Sequence, residues 1–496
     1  MVEERDVRLQ HLQSLRDLGL NPYPQAVKRT HTIRDILEHF DEFAGPDGSY
    51  TLVGRIRLLR DMGKATFAQI EDGSGRIQVY LRLNDVGPDT YQLIKLLDIG
   101  DFIQVHGFLF RTRTDERTLH VQSLSVLSKG LRPLPDKYHG LEDRDTRQRK
   151  RYLDLLANGD EIKQIFVTRS RMITAMRHFL DEHDFIEVET PILQPLYGGA
   201  NARPFTTHHN TLDRDLFLRI AIELYHKRLI VGGFERVYEI GRNFRNEGID
   251  RSHNPEFTMI EFYMAYADYH DTMKLVEQMV AAIALRVKGT TQIIYQGQEI
   301  DLTPPWKRIP LLDAIAEFTG INVRKFPDRD SLAAAMRAKD FEVDPKVSHG
   351  RLIDDLKGAM FRLNIPELQQ ALFLLDYPEE VSPLTKQHRT QPGMVERFQP
   401  FIGGLECGNA YTELNDPIVQ RARFEDQARQ RARGDDETQP LDEDFLEALE
   451  IGMPPTSGVG LGVDRLAMLM ANQESIRDVI LFPTMRKTAE EQEQEQ

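Results

Sequence analysis

From Thr51 the spacing of apolar residues drops to a period of two and stays there through five short segments. These are LVGRIRLL, ATFAQIED, GRIQVYLRL, DFIQVHGFLF and TLHVQSLSVL, separated by turn residues of which Asp72-Gly73-Ser74-Gly75 makes the tightest bend. Alternation leaves each strand one apolar face, and short strands bury such faces by curling into a closed sheet. A helical pattern from Asp89 to Leu97 divides the third segment from the fourth. Five strands with a helix after the third predict an OB-type barrel over residues 49–131, a fold that commonly holds single-stranded nucleic acid. A small β-barrel with no nucleic-acid role satisfies the strand pattern equally well.

Ahead of the barrel, Val7, Leu9, Leu12, Leu15 and Leu18 recur at helical spacing and the pattern stops at Gly19 and Pro22, so residues 1–48 are expected to form a helical extension. Residues 132–150, polar and charged with two prolines, read as a linker. A second region, 151–487, opens with an amphipathic helix over 158–182 and an alternating FIEVETPIL strand stopped by Pro191. A DLFLRI strand, a helix from Glu223, the strands ERVYEIGRNFRNE and EFTMIEFYMAY, and a closing SGVGLGV strand with a DRLAMLMA helix complete it. Helices mixed with antiparallel-looking strands predict an α+β domain. Residues 270–370 carry helical segments without recognisable chemistry and are expected to be an inserted helical module. Residues 488–496 read as a disordered acidic tail.

A chain of 496 residues suits two domains better than one. Its 78 acidic residues against 63 basic give a net charge of −15, which argues against non-specific coating of nucleic acid but leaves a local patch open. No apolar run reaches membrane-spanning length, and the start Met1-Val-Glu-Glu-Arg-Asp lacks the apolar core of a secretion signal. The single cysteine, Cys407, excludes a disulfide framework and a cysteine-rich zinc site. A cytoplasmic enzyme without a membrane partner is the expectation.

The second region holds the chemistry. Val237 to Glu247 reads as one strand, which sets Asn243, Arg245 and Glu247 on one face, while Phe257, Met259, Glu261 and Tyr263 share a face of the returning strand. Paired antiparallel, they would turn Arg245, Glu247, Phe257, Glu261 and Tyr263 into one cavity. A guanidinium suits phosphate or carboxylate, a ring suits a stacked base, and a carboxylate suits an ammonium. A salt-bridged solvent face is the alternative. Gly458, Gly460 and Gly462 would leave a strand face bare for a flat ligand, just before Asp464-Arg465 starts a helix. Neither GxGxxG nor GxxxxGK[ST] is present, so dinucleotide-fold and P-loop readings are weak. Asn409, Tyr411 and Glu413 share strand parity, with Glu406 opposite unless Gly408 supports a bulge or turn. Glu261 and Glu413 facing inward require a positive charge between them, from a protein Lys or Arg or from a ligand ammonium. A pocket for ATP and a small cationic substrate follows.

These residues resemble the class II lysyl-tRNA synthetases of bacterial type. The resemblance rests on FIEVETPIL, FRNEGIDRSHNPEFTMIEFYMAY and GVGLGVDRLAML in that order, with KYHGLEDRDTRQRKRYLDLLAN, YGGANARPF, KRLIVGGFERVYEIGRNFRNE, NAYTELNDP, GMPPT and SIRDVILFP around them. It covers nearly the whole chain and implies an OB-fold anticodon-binding domain, a catalytic antiparallel sheet flanked by helices, and a homodimer. The implied reaction joins lysine and ATP into lysyl-adenylate and passes the lysyl group to tRNA. By the same resemblance Arg245 would hold the α-phosphate and the lysine carboxylate, and Arg465 would bracket adenine and reach the γ-phosphate. Glu247, His253, Asn254 and Phe257 would hold ATP, with Glu406 and position 399 serving magnesium and the nucleotide. Glu223 and the backbone near Gly199 would take the α-amino group, and Glu261, Tyr263, Asn409, Tyr411 and Glu413 would form the side-chain pocket. In the barrel, Phe67 would stack on an anticodon base beside the polar readers Arg60, Gln78 and Glu116.

Four positions depart from the family pattern. Gln399 stands in place of a carboxylate, Leu405 and Ser252 each in place of an arginine, and Ile222 in place of a proline. They motivate the alternative of a catalytically weakened relative that binds RNA or regulates.

Overall fold

The structure, a computed structural model, describes residues 2–135, 141–345, 347–363, 365–432 and 440–488. The expected acidic tail, apart from Thr488, lies outside the described residues. The chain divides into two compact units.

The first unit contains the barrel. Its strands run in the order Gly45–Asp61, Ala65–Glu71, Arg76–Arg82, Arg117–Ser128, Phe102–Arg111 and close on the first. Every pair is antiparallel except the third with the fifth. Asp72 closes the turn between the second and third strands by accepting the N–H groups of Ser74 at 2.7 Å and Gly75 at 3.0 Å. The short helices Leu83–Val86 and Pro88–Ile94 follow the third strand, where a helix is expected. The N-terminal helix, Val2–Asp17, buries Arg8, Leu12 and Leu15, while Val7 and Leu18 stay 45% and 54% exposed. Leu15, Ile33, Ile36 and Phe40 pack in the same core as the barrel's Leu52, Val79 and Val105. The extension is thus part of the barrel's hydrophobic core rather than an appendage.

The joint between units differs from the expected linker. Asp143–Arg151, including the helix Arg144–Arg149, goes with the second unit, whereas Tyr152–Asn158 goes with the first.

The second unit is built on a nine-stranded sheet. Its order is Lys307–Pro310, Leu372–Pro378, Met394–Ile402, Gly408–Thr412, Thr456–Gly462, Glu256–Ala265, Arg236–Phe244, Ile186–Glu187, with Leu405–Glu406 pairing on Met394–Ile402. The pairs are antiparallel except at the two edges. All seven residues of Leu372–Pro378 are buried, as befits a strand covered on both faces. Helices Gly159–Asp181, Tyr269–Lys288 and Val463–Ala471 pack together behind the sheet. There Thr272 donates to Ser457 at 2.6 Å, and Arg169 pairs with Asp464 at 2.5 Å.

Two expectations change. FIEVETPIL is not one strand: Ile186–Glu187 pairs parallel to Val237–Tyr238 at the edge of the large sheet, and Leu193 begins Leu193–Gln194, which pairs with Phe217–Leu218 in a separate three-stranded sheet. Residues 270–370 are not a separate helical insert. The helix Tyr269–Lys288 lies against the sheet and Lys307–Pro310 is its edge strand, while helices Leu311–Thr319, Arg329–Arg337 and His349–Arg362 share a core with Leu372, Leu374 and Phe401. Their apolar spacing shows that they are helices but not what they pack against.

Candidate active site

Strand register decides which side chains meet. Asn243, Gly241, Glu239 and Val237 stand opposite Phe257, Met259, Glu261 and Tyr263. Gly462, Gly460 and Gly458 stand opposite Met259, Glu261 and Tyr263 on the other side, and Asn409 and Tyr411 lie beyond Gly460 and Gly458. Directly opposed residues share a face, so the expected faces coincide. The strand ends at Phe244, however, and Arg245 and Glu247 lie beyond it. Arg245 keeps register through its N–H to Pro255 O at 2.8 Å, and Glu247 sits in the exposed turn that follows. The glycine face is not bare. A methyl group at Gly458 would overlap the Tyr263 ring and the Glu413 carboxylate, and one at Gly460 would crowd Met259. The glycines make room for side chains as well as for a ligand.

This face forms the floor of a cavity of about 1720 Å³, whose walls include Gly199, Glu223, Arg245, Glu261, Tyr411 and Arg465. At one end the helix Glu223–Val231 brings Glu223 and Lys227 inward one turn apart, both buried. Lys227 Nζ lies 2.6 Å from Glu223 Oε1 and 2.5 Å from Glu413 Oε2. Burial alone would pull this ammonium's pKa down, but Glu223 and Glu413 together hold it above its ordinary value. The positive charge beside Glu413 is therefore the protein's own. Glu413 lies behind the cavity wall, and neither oxygen receives a hydrogen bond of good angle. Its pKa is pushed up by burial and by Glu223, against the pull of Lys227. The Tyr411 hydroxyl donates to the other Glu223 oxygen.

Glu261 is different. It is 3% exposed and lines the cavity, and its carboxylate accepts only the N–H of Ile222 and the hydroxyl of Tyr263, both at 3.2 Å. Among the described residues no basic side chain lies within ion-pair distance of it. Burial first, then the neighbouring Glu223, push its pKa to about 7. Gly199, at φ +83°, abuts Glu223 so closely that a Cβ would stand 3.0 Å from that residue's own Cβ.

At the other end Arg465 donates to the Glu406 carbonyl at 2.6 Å and faces His253 Nε2 at 3.1 Å. His253 in turn meets Asp250 at 2.8 Å through Nδ1. Arg245 is half-buried, with its guanidinium 5.1 Å from the centre of the Phe257 ring. Burial draws its pKa down, Glu247 opposes that and Arg465 adds to it. Asn254 is buried, donates to Glu256 O at 2.5 Å, and leaves its own Oδ1 without a partner. Glu406 reaches the cavity through a bulge. Phe401 pairs with Glu406 and Phe398 with Ala410, three steps along one strand against four along the other.

Gln399 does not fit the metal role. Its Oε1 accepts from Lys357 Nζ at 2.9 Å and from the Tyr377 hydroxyl at 2.7 Å, so both lone pairs are engaged. Glu406 does fit: its carboxylate faces the cavity and has only a long 3.7 Å ion pair with Lys357.

In the barrel, Arg60 stands opposite Phe67 and Phe67 opposite Tyr80, with ring centres 4.8 Å apart in the second pair. Gln78 donates to Thr118 at 2.9 Å, and Thr118 donates to the carbonyl of Glu116. Arg60, Phe67 and Gln78 share one face of the barrel, and Glu116 joins it through its carbonyl, which accepts from Thr118.

Sequence reasoning missed Lys227, Arg397 and Lys357. Lys227 had a signal, its position four residues after Glu223 on one helix face. Arg397, which binds Asn409 Oδ1 at 2.7 Å, shares parity with Gln399 on its strand. Lys357 had none, because its partner lies far along the chain.

Comparison with known proteins agrees with the fold of both units. Residues 143–486 match the family model described as tRNA synthetases class II (D, K and N), and residues 50–127 match an OB-fold nucleic acid binding domain. The chain is 51% identical over 484 residues to a lysine–tRNA ligase of Moorella thermoacetica, covering 98% of each chain. It is 52% identical over 482 residues to one of Pelotomaculum thermopropionicum, covering 97% of this chain and 94% of that one. It is 51% identical over 486 residues to one of Chloroflexus aurantiacus, covering 98% of each.

Proposed function

The chain belongs to the class II lysine–tRNA ligases, and from that premise we propose how its own residues carry out the reaction. It activates lysine with ATP and charges tRNA with it. The observation that carries the assignment of the pocket is Glu261, a buried carboxylate on the cavity wall with no cation of its own. Glu223, Glu261 and Glu413 bring three carboxylates together against the single ammonium of Lys227. A substrate with two ammonium groups balances that excess, and an aspartate or asparagine side chain does not.

In this reading Gly199 and Glu223 receive the α-amino group, and Glu261, Tyr263, Asn409 and Tyr411 line the pocket for the side chain, with Glu413 behind its wall acting through Lys227. Arg245, at the strand end between the two halves of the cavity, holds the lysine carboxylate against the α-phosphate. A carboxylate oxygen attacks phosphorus, the bond to pyrophosphate breaks, and Arg245 and Arg465 stabilise the charge that develops. Phe257, Glu247, His253 and Asn254 seat the nucleotide. Glu406 would hold magnesium, which would supply charge neutralisation to the nucleotide phosphates. A terminal ribose hydroxyl of tRNA then attacks the lysyl carbonyl and AMP leaves.

Barrel residues Arg60, Phe67, Gln78 and Glu116 would read the anticodon. Ile186, Ile192, Leu193 and Phe234 are 41–52% exposed near the first signature and support a homodimer built there. No helix among the described residues is long and apolar enough to cross a membrane; a cytoplasmic location, where tRNA, lysine and ATP meet, is part of this reading. Amino-acid-dependent pyrophosphate–ATP exchange tests the pocket. Exchange is expected with lysine and not with aspartate or asparagine, and its absence with every amino acid would favour the RNA-binding alternative.

A further inference from the structure

The amide at position 399 and the ammonium at position 357 belong to one arrangement. Lysine offers only donors, so the 2.9 Å contact with Lys357 fixes the Gln399 amide with its oxygen toward Nζ. The Tyr377 hydroxyl occupies the second lone pair of that oxygen. The same ammonium lies 3.7 Å from Glu406 Oε2 and 3.1 Å from Asp354 Oδ1. It thus sits between the two side chains that a bridging ion would need. Lys357 is firmly placed, since it is on the helix His349–Arg362, capped by Ser348, and its side chain is only 12% exposed.

We propose that the ammonium of Lys357 replaces a divalent cation between residue 399 and Glu406, so that nucleotide binds here with one fewer metal ion than a site with carboxylates at both positions. The charges agree. Across positions 399 and 406 two carboxylates and a divalent ion sum to zero, and so do one carboxylate, one amide and one ammonium, with Asp354 a further carboxylate beside the cation in either arrangement. A magnesium ion demands oxygens at about 2.0–2.1 Å in near-octahedral array, and an amide oxygen already holding two donors cannot join it. An ammonium at this spot also repels a second cation placed beside it. Lys357 is a positioning residue. It holds Glu406 and Gln399 at the cavity wall and stands in for the charge of an ion. The inference rests on the reading of this end of the cavity as the ATP site.

The test counts metal directly. Mn²⁺ binding is titrated by electron paramagnetic resonance on the full chain with a non-hydrolysable ATP analogue and no lysine, so the count is independent of lysine activation. The double variant Lys357→Met/Gln399→Glu removes the ammonium and supplies the second carboxylate. It is expected to take up one further Mn²⁺ per nucleotide site compared with the unaltered protein, and equal counts would overturn the proposal. Gln399→Ala decides the matter independently should the double variant fail to fold. Mn²⁺ affinity within about twofold of the parent supports the proposal, and a loss of about tenfold or more identifies Gln399 as a ligand and overturns it.

Discussion

The backbone N–H of Ile222 donates to Glu261 Oε1 at 3.2 Å, tying the start of one helix to the carboxylate on the cavity wall. The family pattern places proline at this position, which has no N–H to give. Ile222 holds φ at −100°, outside the range of a proline ring. Ile222→Pro should therefore remove one of the two donors that favour the ionised carboxylate. The acid limb of the pH profile of 1/KM for lysine should move to higher pH, with KM for ATP unchanged. An unmoved limb would show that this hydrogen bond does not tune Glu261.

The pH dependence itself follows from Glu261, whose pKa stands near 7. Lysine binds the carboxylate form, so KM for lysine should fall as pH rises toward about 7 and level off above it, with a slope of about tenfold per unit on the acid side. Stability of the free protein runs the other way. A carboxyl with a raised folded pKa adds stability at low pH that is lost as pH climbs through about 7. Glu261→Gln should flatten both trends and raise KM for lysine by about 30-fold or more while sparing ATP. Equal losses for lysine and ATP would sink the assigned role.

Lys227 is buried between Glu223 and Glu413, and removing it leaves two carboxylates facing each other. Lys227→Met should lower stability by about 3–5 kcal/mol, the usual cost of breaking a buried pair on one side. Added lysine should stabilise this variant more than the parent, because substrate ammonium then meets carboxylates that have lost their internal partner. Thermal unfolding with and without lysine measures the difference. A smaller lysine-dependent shift in the variant would mean that Lys227 assists lysine binding instead of competing for the same charge.

The faces of the central strands were legible because their period is local. Phe257 to Tyr263 alternate in the sequence as they do in the sheet, and the barrel's five segments follow the same rule. The bulge that brings Glu406 inward was legible only as a condition on Gly408, since one slipped residue leaves no periodic trace. The strand stops at Phe244, short of the expected Glu247, yet Arg245 and Glu247 still line the cavity with Phe257, Glu261 and Tyr263. Parity did not reveal that Lys227 supplies the cation beside Glu413, because which of two ammoniums fills a carboxylate cluster depends on a helix packed from elsewhere. Lys357 and Gln399 are 42 residues apart, and only the fold brings them together.

The barrel offers a prediction that separates RNA recognition from chemistry. Phe67 is half-buried, opposite both Arg60 and Tyr80, so one side of its ring packs in the row while the exposed part is free to stack. Stacking of a base on an aromatic ring is worth about 1–3 kcal/mol. Phe67→Ala should therefore raise KM for tRNA in the charging assay by about 5–150-fold. Lysine-dependent pyrophosphate–ATP exchange, measured without tRNA, should keep its rate, since Phe67 belongs to a different unit from the residues that bind lysine and ATP. A parallel drop in exchange would mean that the substitution damages the fold. An unchanged KM for tRNA would remove Phe67 from the recognition surface and leave Tyr80 or His120, whose rings are 5.3 Å apart, as the stacking platform.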